Sequence, residues 1–216
     1  MSTWGMASPA DPLSPTSPFP DRAQRQANRA AKREALLLAA VRMFNERGFH
    51  DTSLDEVAAS LGVSKPTIYH YLGNKDQVLL ECVLIGLDQL REAAAIASAR
   101  PGRGIDRLRD FLIRYARINM DDFGRCVIRT GDEALSPESA TRFRALKREI
   151  DSALRDLIVA GIADGSVAPA DTRLLAFTLA GALNWPARWF AADGPLSAQQ
   201  VAEQMVDLLV AGVAPR

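Results

Sequence analysis

Apolar residues recur at helical spacing along most of the chain. From about Asn28 onward, apolar positions repeat every three or four residues, which is the period of an amphipathic helix. Leu37, Val41 and Phe44 illustrate this, since they lie at i, i+4 and i+7 and define one apolar face. Alternating apolar and polar runs, typical of half-buried strands, are absent from the sequence. The pattern therefore predicts an all-α fold.

Glycine, proline and N-cap residues divide the first part of this pattern into three helices. Gly48 is placed to end the first helix, and Asp51-Thr52-Ser53 offers N-cap oxygens for the second. Gly62 ends the second helix. Ser64 then caps the third, with Pro66 in its first turn, where the missing N–H is tolerated. We expect two short helices joined by a tight turn.

The third of these helices has only a narrow apolar seam. Ile68 and Leu72 lie about 40° apart on a helical wheel, so both face the core. The other side chains flank this seam or point away from it: Lys65, Pro66, Thr67, Tyr69, His70 and Tyr71. Tyr71 flanks it, and its position is compatible with packing or with contacting a partner. A polar second helix after a tight turn predicts a DNA-binding helix-turn-helix.

Charge is distributed unevenly along the chain. The formal net charge is +0. Between Arg22 and Lys75, however, nine basic residues stand against five acidic ones. The excess of basic residues in this N-terminal segment favours an anionic partner there. The run from Arg22 to Arg33 is either a solvated helix face or a segment that lies across DNA.

Composition and helix signals together predict three regions. Residues 1–21 are rich in proline and serine and are predicted to be a disordered tail. Residues 22–75 form the predicted three-helix helix-turn-helix domain, and residues 76–216 a helical bundle for ligand binding and dimerisation. Within the bundle, long helical patterns cover about 75–98, 105–121, 136–164, 171–192 and 197–212.

The run from Ala35 to Glu81 resembles the N-terminal domain of TetR-type transcriptional regulators. Four motifs carry this resemblance: F-x-x-x-G-F, T-S-x-x-x-V-A, G-V-S, and T-x-Y-x-Y followed by N-K. The resemblance implies DNA contacts at Thr52, Ser64, Lys65, Thr67, Tyr69, His70, Tyr71 and Lys75, with Pro66 where the family often has glycine or alanine.

The same resemblance implies a homodimer on a pseudo-palindromic double-stranded DNA operator. TetR-type proteins usually dimerise through their last two long helices. The apolar residues that this implies for the dimer interface are Leu175, Leu179, Leu183, Val201, Met205, Leu208 and Leu209. Some of them are equally expected to fill the subunit's own core.

The segment "NWPARWF" is the most unusual part of the bundle. Trp185 and Trp189 share a helix face, and Pro186 is expected to kink that helix. The segment resembles TetR-type repressors that respond to acyl-coenzyme A thioesters, which implies a small-molecule inducer. The candidate ligand residues are Phe111, Arg114, Tyr115, Ile118, Phe123, Arg125, Arg129, Trp185, Arg188 and Trp189. The alternatives are core or interface packing for the tryptophans and surface salt bridges for the arginines.

Two other functions are weaker alternatives. His50 and His70 are the only histidines, and the sequence has neither a metal-ligand spacing nor a phosphate-binding glycine loop, so an enzyme, a cofactor and a metal site are not expected. Redox regulation through Cys126 is the second alternative, because Arg125 and Arg129 are near enough to lower the pKa of its thiol. Two cysteines without paired spacing and no membrane-length apolar run favour a cytoplasmic protein without a membrane partner.

Overall fold

The computed structural model describes residues 21–215, and nearly all of the predicted tail over 1–21 lies outside them. The helices are α1 (Arg22–Arg47), α2 (Leu54–Ser60), α3 (Lys65–Leu72), α4 (Lys75–Ala99), α5 (Gly104–Met120), α6 (Asp122–Arg129), α7 (Pro137–Ala163), α8 (Thr172–Asn184), α9 (Pro186–Trp189) and α10 (Ala198–Val213). A 3-10 turn covers Asp132–Ala134. No strand occurs within residues 21–215, and the all-α prediction is confirmed.

Helix ends follow the local signals with two differences. Helix α1 begins at Arg22 rather than near Asn28, because the Asp21 carboxylate accepts the Gln24 N–H at 2.7 Å. Ser53, and not Thr52, caps α2: its side chain accepts the Glu56 N–H while the Glu56 carboxylate accepts the Ser53 N–H. Gly48 ends α1 with φ 94°, a conformation that favours glycine.

Helices α1, α2 and α3 share a small core that orients α3. Val41, Val57 and Ile68 are fully buried, one from each helix. Leu72 is also buried at the end of α3, which confirms the predicted Ile68–Leu72 seam. Because this seam is narrow, the rest of the α3 surface stays outside the core.

Helix α4 connects this unit to the bundle. It contacts α1 and also packs along α5, α6 and α7. A second connection runs between α1 and α6, where Arg42 pairs with Asp122 at 2.8 Å and Asn45 Nδ2 donates to the Asp122 carbonyl at 2.8 Å. The sequence pattern predicts no helix over 122–135, so α6 is an element that the periodicity missed. Its eight residues are too few to display a clear repeat.

The long helix predicted over 171–192 is interrupted. Helix α8 ends at Asn184, and Pro186 begins the single turn α9. Proline has no N–H for the helical ladder, so the break is expected at this position, and the predicted kink is confirmed. None of the helices within 21–215 is both long and apolar enough to cross a membrane.

Candidate functional site

The outer face of α3 is polar, aromatic and accessible. Ser64, Lys65, Pro66, Tyr69 and His70 are exposed on it. Side chains of these types reach base edges and phosphates when a helix of this kind enters the major groove of DNA. The structure therefore brings together five of the predicted DNA-binding residues on one surface.

Two polar contacts pre-orient this surface. The hydroxyl oxygens of Ser64 and Thr67 lie 2.8 Å apart and share a hydrogen bond. Lys65 Nζ donates to the Asp55 carboxylate at 2.6 Å, and this hydrogen bond raises the pKa of Lys65. Lys65 therefore remains a cation, but its charge is partly offset by α2.

Lys75 lies beside a second part of the same surface. Its Nζ is 4.3 Å from the centroid of the Phe49 ring and donates to the His50 carbonyl at 3.3 Å. Lys75 and Tyr69 line a surface hollow together with residues 50–54 and Glu56, at the N-terminus of α2. An ammonium, a phenol and a helix N-terminus are groups that bind phosphate.

The Thr52 side chain is turned into the protein and not toward this surface, which differs from its predicted role. Its side chain is buried, and its hydroxyl donates to the carbonyls of Gly48 at 2.9 Å and Met43 at 3.3 Å. Thr52 therefore holds the loop between α1 and α2, and its hydroxyl is already used within the subunit. A threonine beside a cap looks the same in the sequence whether its hydroxyl faces inward or outward.

Tyr71 lies where it can both pack against the core and contact a partner, the two alternatives that its position in the sequence left open. It is half-buried against the core, yet it also lines a hollow with His70 and the basic residues Arg25, Arg29 and Lys32 of α1. These α1 residues therefore face the same side of the molecule as the end of α3.

Arg33 has a different role from the other basic residues of α1. Its Nε donates to the Tyr71 carbonyl at 3.2 Å, and its guanidinium pairs with the Glu81 carboxylate. The hydrogen bond with Glu81 raises the pKa of Arg33. Arg33 therefore ties α1, α3 and α4 together, which the sequence did not indicate.

The bundle contains a separate cavity of about 180 Å³ between α4, α5, α6, α7 and α8. Its lining residues are Leu87, Leu90, Tyr115, Val127, Ile128, Lys147, Ile150, Asp151, Leu154, Ala180 and Asn184. The walls are mostly apolar, and a few polar groups converge on one part of them. This combination is typical of a small-molecule site.

Hydrogen bonds order the polar part of the cavity wall. The Tyr115 hydroxyl donates to Asn184 Oδ1 at 2.8 Å, and Asn119 Nδ2 donates to the same oxygen at 3.0 Å. Burial raises the pKa of Tyr115, so the phenol stays protonated. The Asn184 amide is therefore held in one orientation.

Most of the predicted ligand residues lie elsewhere, and only Tyr115 lines this cavity. Phe111 is buried in the core, with its ring centroid 5.7 Å from that of Tyr115. Arg114 and Ile118 line an open surface groove between α4 and α5, where Arg114 pairs with Asp110 at 3.0 Å. The helical wheel gives the face of each residue but not the neighbour that covers it.

The remaining ligand candidates are also separated. Arg125 donates to the carbonyls of Met120 and Phe190, which is a structural role, and Phe123 is half-buried against the core. Arg129 and Arg188 line another hollow, between the loop after α1 and α6. Trp185 and Trp189 are 62% and 50% exposed on the outer surface. Neither tryptophan lines the cavity between α4, α5, α6, α7 and α8.

The predicted dimer residues divide into two groups. Leu179, Leu183 and Val201 are buried inside the subunit, so their predicted interface role is corrected to core packing. Leu208 is 78% exposed, while Leu175, Met205 and Leu209 are half-buried. Leu174 and Phe177, which the sequence analysis did not single out, are 65% and 52% exposed.

Exposed apolar side chains occur on both α8 and α10, and we refer to them together as the α8/α10 face: Leu174, Phe177, Trp185 and Leu208. Leu174, Phe177 and Trp185 share a helix side because they are separated by three and eight residues. Large apolar side chains clustered on a surface mark an interaction site.

Cys126 is not placed for redox chemistry. It is buried, and burial raises the pKa of its thiol to about 11. The hydrogen bond with Thr130 and the charge of Arg129 lower this pKa without offsetting burial, and the Arg125 guanidinium donates to backbone carbonyls instead. A buried, protonated thiol reacts slowly, so the structure argues against the redox alternative. Residues 21–215 also contain no cluster of three or more potential metal ligands.

Two family models match the chain. Residues 36–82 match "Bacterial regulatory proteins, tetR family", and residues 101–213 match "Tetracyclin repressor-like, C-terminal domain". These matches fall on the helix-turn-helix unit and on the bundle that contains the cavity.

Individual relatives have the same architecture. The chain is 26% identical to the transcriptional repressor KstR2 of Mycolicibacterium smegmatis, over 85% of this chain and 91% of that protein. Among solved structures, the TetR regulator PfmR of Thermus thermophilus is 31% identical, with a TM-score of 0.75 over 83% of this chain and 99% of that one. AibR, solved with isovaleryl coenzyme A and operator DNA, is 25% identical, with a TM-score of 0.73 over 83% and 98% of the two chains. The relatives are regulators, which confirms that a regulator and not an enzyme is the correct class.

Proposed function

The chain belongs to the TetR family of bacterial regulatory proteins, and on that premise we propose that it is a ligand-responsive transcriptional repressor. It binds a pseudo-palindromic operator as a homodimer and is released by a small-molecule inducer, an acyl-CoA thioester. The observation that carries this proposal is the exposed polar and aromatic face of α3 above its buried Ile68–Leu72 seam.

In the proposed complex, α3 enters the major groove. Tyr69, His70 and the Ser64–Thr67 hydroxyl pair face base edges and the nearby backbone. Lys75 and the N-terminus of α2 bind one phosphate, and the basic residues of α1 beside Tyr71 bind the neighbouring backbone. The narrow seam supports this arrangement, because Ile68 and Leu72 are the buried side chains of α3 and Tyr71 is only half-buried.

The second subunit attaches at the α8/α10 face. One recognition helix makes few contacts, and a dimer places two of them on half-sites about 34 Å apart. Exposed Phe177, Trp185 and Leu208 contribute apolar surface to this interface. The tryptophan at the α8 end is thus assigned to the subunit interface.

The inducer acts through the cavity in the bundle. Its walls come from five helices, and one of them, α4, also begins directly after the recognition helix. A ligand can release DNA only if it binds the DNA-free arrangement more tightly than the DNA-bound one. The complex of AibR with isovaleryl coenzyme A and operator DNA supports the choice of an acyl-CoA.

A gel shift with DNA from upstream of the protein's own gene tests this proposal. We expect a sequence-selective shift that weakens steeply between about 50 and 200 mM salt, since phosphate contacts release counterions. Acyl-CoA thioesters should abolish the shift, whereas free coenzyme A should not. A double substitution, Tyr69→Ala with His70→Ala, should abolish selective binding, while Arg148→Ala, an exposed site on α7, should not. Absence of any selective shift from the folded dimer would contradict the proposal.

A further inference from the structure

We propose that the bundle cavity selects short acyl groups by its size and that Asn184 recognises the acyl carbonyl by donating a hydrogen bond to it. The inference rests on the proposed function and deepens it, because it names the ligand class of the same cavity. It differs from the ligand set predicted from the sequence, to which Asn184 did not belong.

The size of the cavity limits the acyl group. Its volume is about 180 Å³, whereas sites for drug-sized ligands occupy about 300 to 1,000 Å³. An apolar cavity of about 150 Å³ holds one benzene ring. The cavity therefore accepts about six to eight non-hydrogen atoms, which suits a short branched acyl group and excludes a long fatty-acyl chain or a fused-ring skeleton.

The apolar walls of the cavity favour an acyl group whose hydrocarbon part is apolar throughout. Leu87, Leu90 and Val127 are buried on one side of the lining, and Ile150 and Leu154 on another. An aliphatic acyl group of this size replaces empty space with van der Waals contacts and leaves no polar group of its own against the apolar wall. The carbonyl of the ligand then needs a donor at the polar end.

The Asn184 amide nitrogen, Nδ2, provides that donor, while the amide oxygen, Oδ1, already accepts hydrogen bonds within the protein. Its Oδ1 accepts both the Tyr115 hydroxyl and the Asn119 amide, which fixes the plane of the side chain. Within residues 21–215, Asn184 Nδ2 donates no hydrogen bond, although the residue lines the cavity. Asn184 is half-buried, so a ligand carbonyl in the cavity takes the place of solvent at this amide donor.

The break in α8 places Asn184 at this position. It is the last residue of α8, directly before the turn that Pro186 begins. Trp185 then faces outward while Asn184 lines the cavity. The segment "NWPARWF" therefore contributes its asparagine, and not its tryptophans, to the ligand.

Lys147 marks the mouth of the cavity. It is the exposed residue of the lining, whereas the neighbouring Asp151 is half-buried and paired with Arg155. A ligand with a short acyl group inside extends its remaining part past Lys147, whose ammonium attracts a phosphorylated carrier. The coenzyme A moiety thus lies outside the cavity.

Calorimetric titration of the full-length dimer with defined thioesters tests the inference. The probes are isovaleryl-CoA, palmitoyl-CoA, free coenzyme A and S-isopentyl-CoA, a thioether that has the same chain without the carbonyl oxygen. We expect isovaleryl-CoA to bind most tightly, and the thioether about three- to tenfold more weakly, which is the net effect of one hydrogen bond.

One variant removes the proposed hydrogen-bond donor, and a second variant outside the cavity serves as the control. Asn184→Asp keeps an oxygen for Tyr115 and Asn119 but loses the donor, so the preference for the thioester over the thioether should disappear. Arg114→Gln, in the separate open groove, should keep that preference. If Asn184→Asp does not fold, the thioester and thioether affinities of the wild type still test the hydrogen bond.

The outcomes distinguish this inference from the proposed function. Equal affinity of the wild type for thioester and thioether would overturn the role of Asn184. Tighter binding of palmitoyl-CoA than of isovaleryl-CoA would overturn the size limit and leave an acyl-CoA-controlled repressor. If no thioester binds while the operator is still bound, the inference fails and DNA binding stands. If the operator is not bound either, the proposed function fails.

Discussion

The Asp76 carboxylate, at the start of α4, accepts two hydrogen bonds from Ser136, the N-cap residue of α7. The backbone N–H of Ser136 donates at 2.8 Å, and its hydroxyl donates at 3.1 Å. The Ser139 hydroxyl donates to the same carboxylate at 3.0 Å. Asp76 directly follows Lys75 on the DNA-facing surface, while α7 provides Lys147, Ile150 and Leu154 to the cavity wall. The hydrogen bonds among Asp76, Ser136 and Ser139 therefore join α7, which lines the cavity, to the start of α4, which directly follows the recognition helix α3.

Asp76→Ala should destabilise the protein by about 1 to 2 kcal/mol, because an anionic cap is lost at the N-terminus of α7. Urea unfolding measures this change. Asp88→Ala, an exposed site on the same helix, is the control and should change stability by less than about 0.5 kcal/mol. In a gel shift, Asp76→Ala should also weaken the effect of the inducer on operator affinity. An unchanged inducer effect would show that the cluster only stabilises the fold.

Lys75→Ala should weaken binding to every DNA sequence by a similar factor, because in the proposed complex its ammonium contacts a phosphate. The slope of log affinity against log salt should fall by about one. Fluorescence anisotropy with operator and random duplexes at several salt concentrations measures both effects. Arg148→Ala serves as the control and should leave the slope unchanged. A loss confined to the operator would instead assign Lys75 to base recognition.

Leu208→Asp should convert the dimer into monomers, because a charge would be buried in the α8/α10 face. Sedimentation velocity measures the change, and operator affinity should fall with it. Leu179→Ala is the matched core variant, and it should lower stability by about 2 to 5 kcal/mol while the folded fraction stays dimeric. If Leu208→Asp remains a dimer, the interface lies elsewhere.

The reactivity of Cys126 should depend on pH in the alkaline range. Its thiol is neutral below a pKa of about 11, so alkylation of the native protein should be slow at pH 7 and rise about tenfold per pH unit toward that value. Because burial raises this pKa above the unfolded value, the folded state loses stability as pH rises past the unfolded pKa. Mass spectrometry of iodoacetamide-treated protein, with Cys126→Ser as the control, follows the reaction. Rapid alkylation at pH 7 in the folded protein would revive the redox alternative.

Local signals were sufficient for the helices of the DNA-binding unit. Gly48, Gly62 and Pro66 mark the ends and the start of helices through backbone preferences that act within one turn of the chain. The seam of α3 depends only on the spacing of Ile68 and Leu72. The exposure of Tyr69 and His70 follows from the same spacing. Helix α6 was missed because eight residues contain about two turns, which is too short for a periodic pattern.

By itself, the sequence determined the all-α class, the helix-turn-helix, the polar face of α3 and the break at Pro186, because each depends on residues within a few turns of one another. Only the tertiary structure decided which side of each apolar helix is covered. It assigned Leu179 and Leu183 to the core and Leu174 and Phe177 to the surface, since a helix that is apolar all round gives no direction. The cavity was likewise decided in three dimensions, because Tyr115 and Asn184 are 69 positions apart and meet only when α5 and α8 pack together.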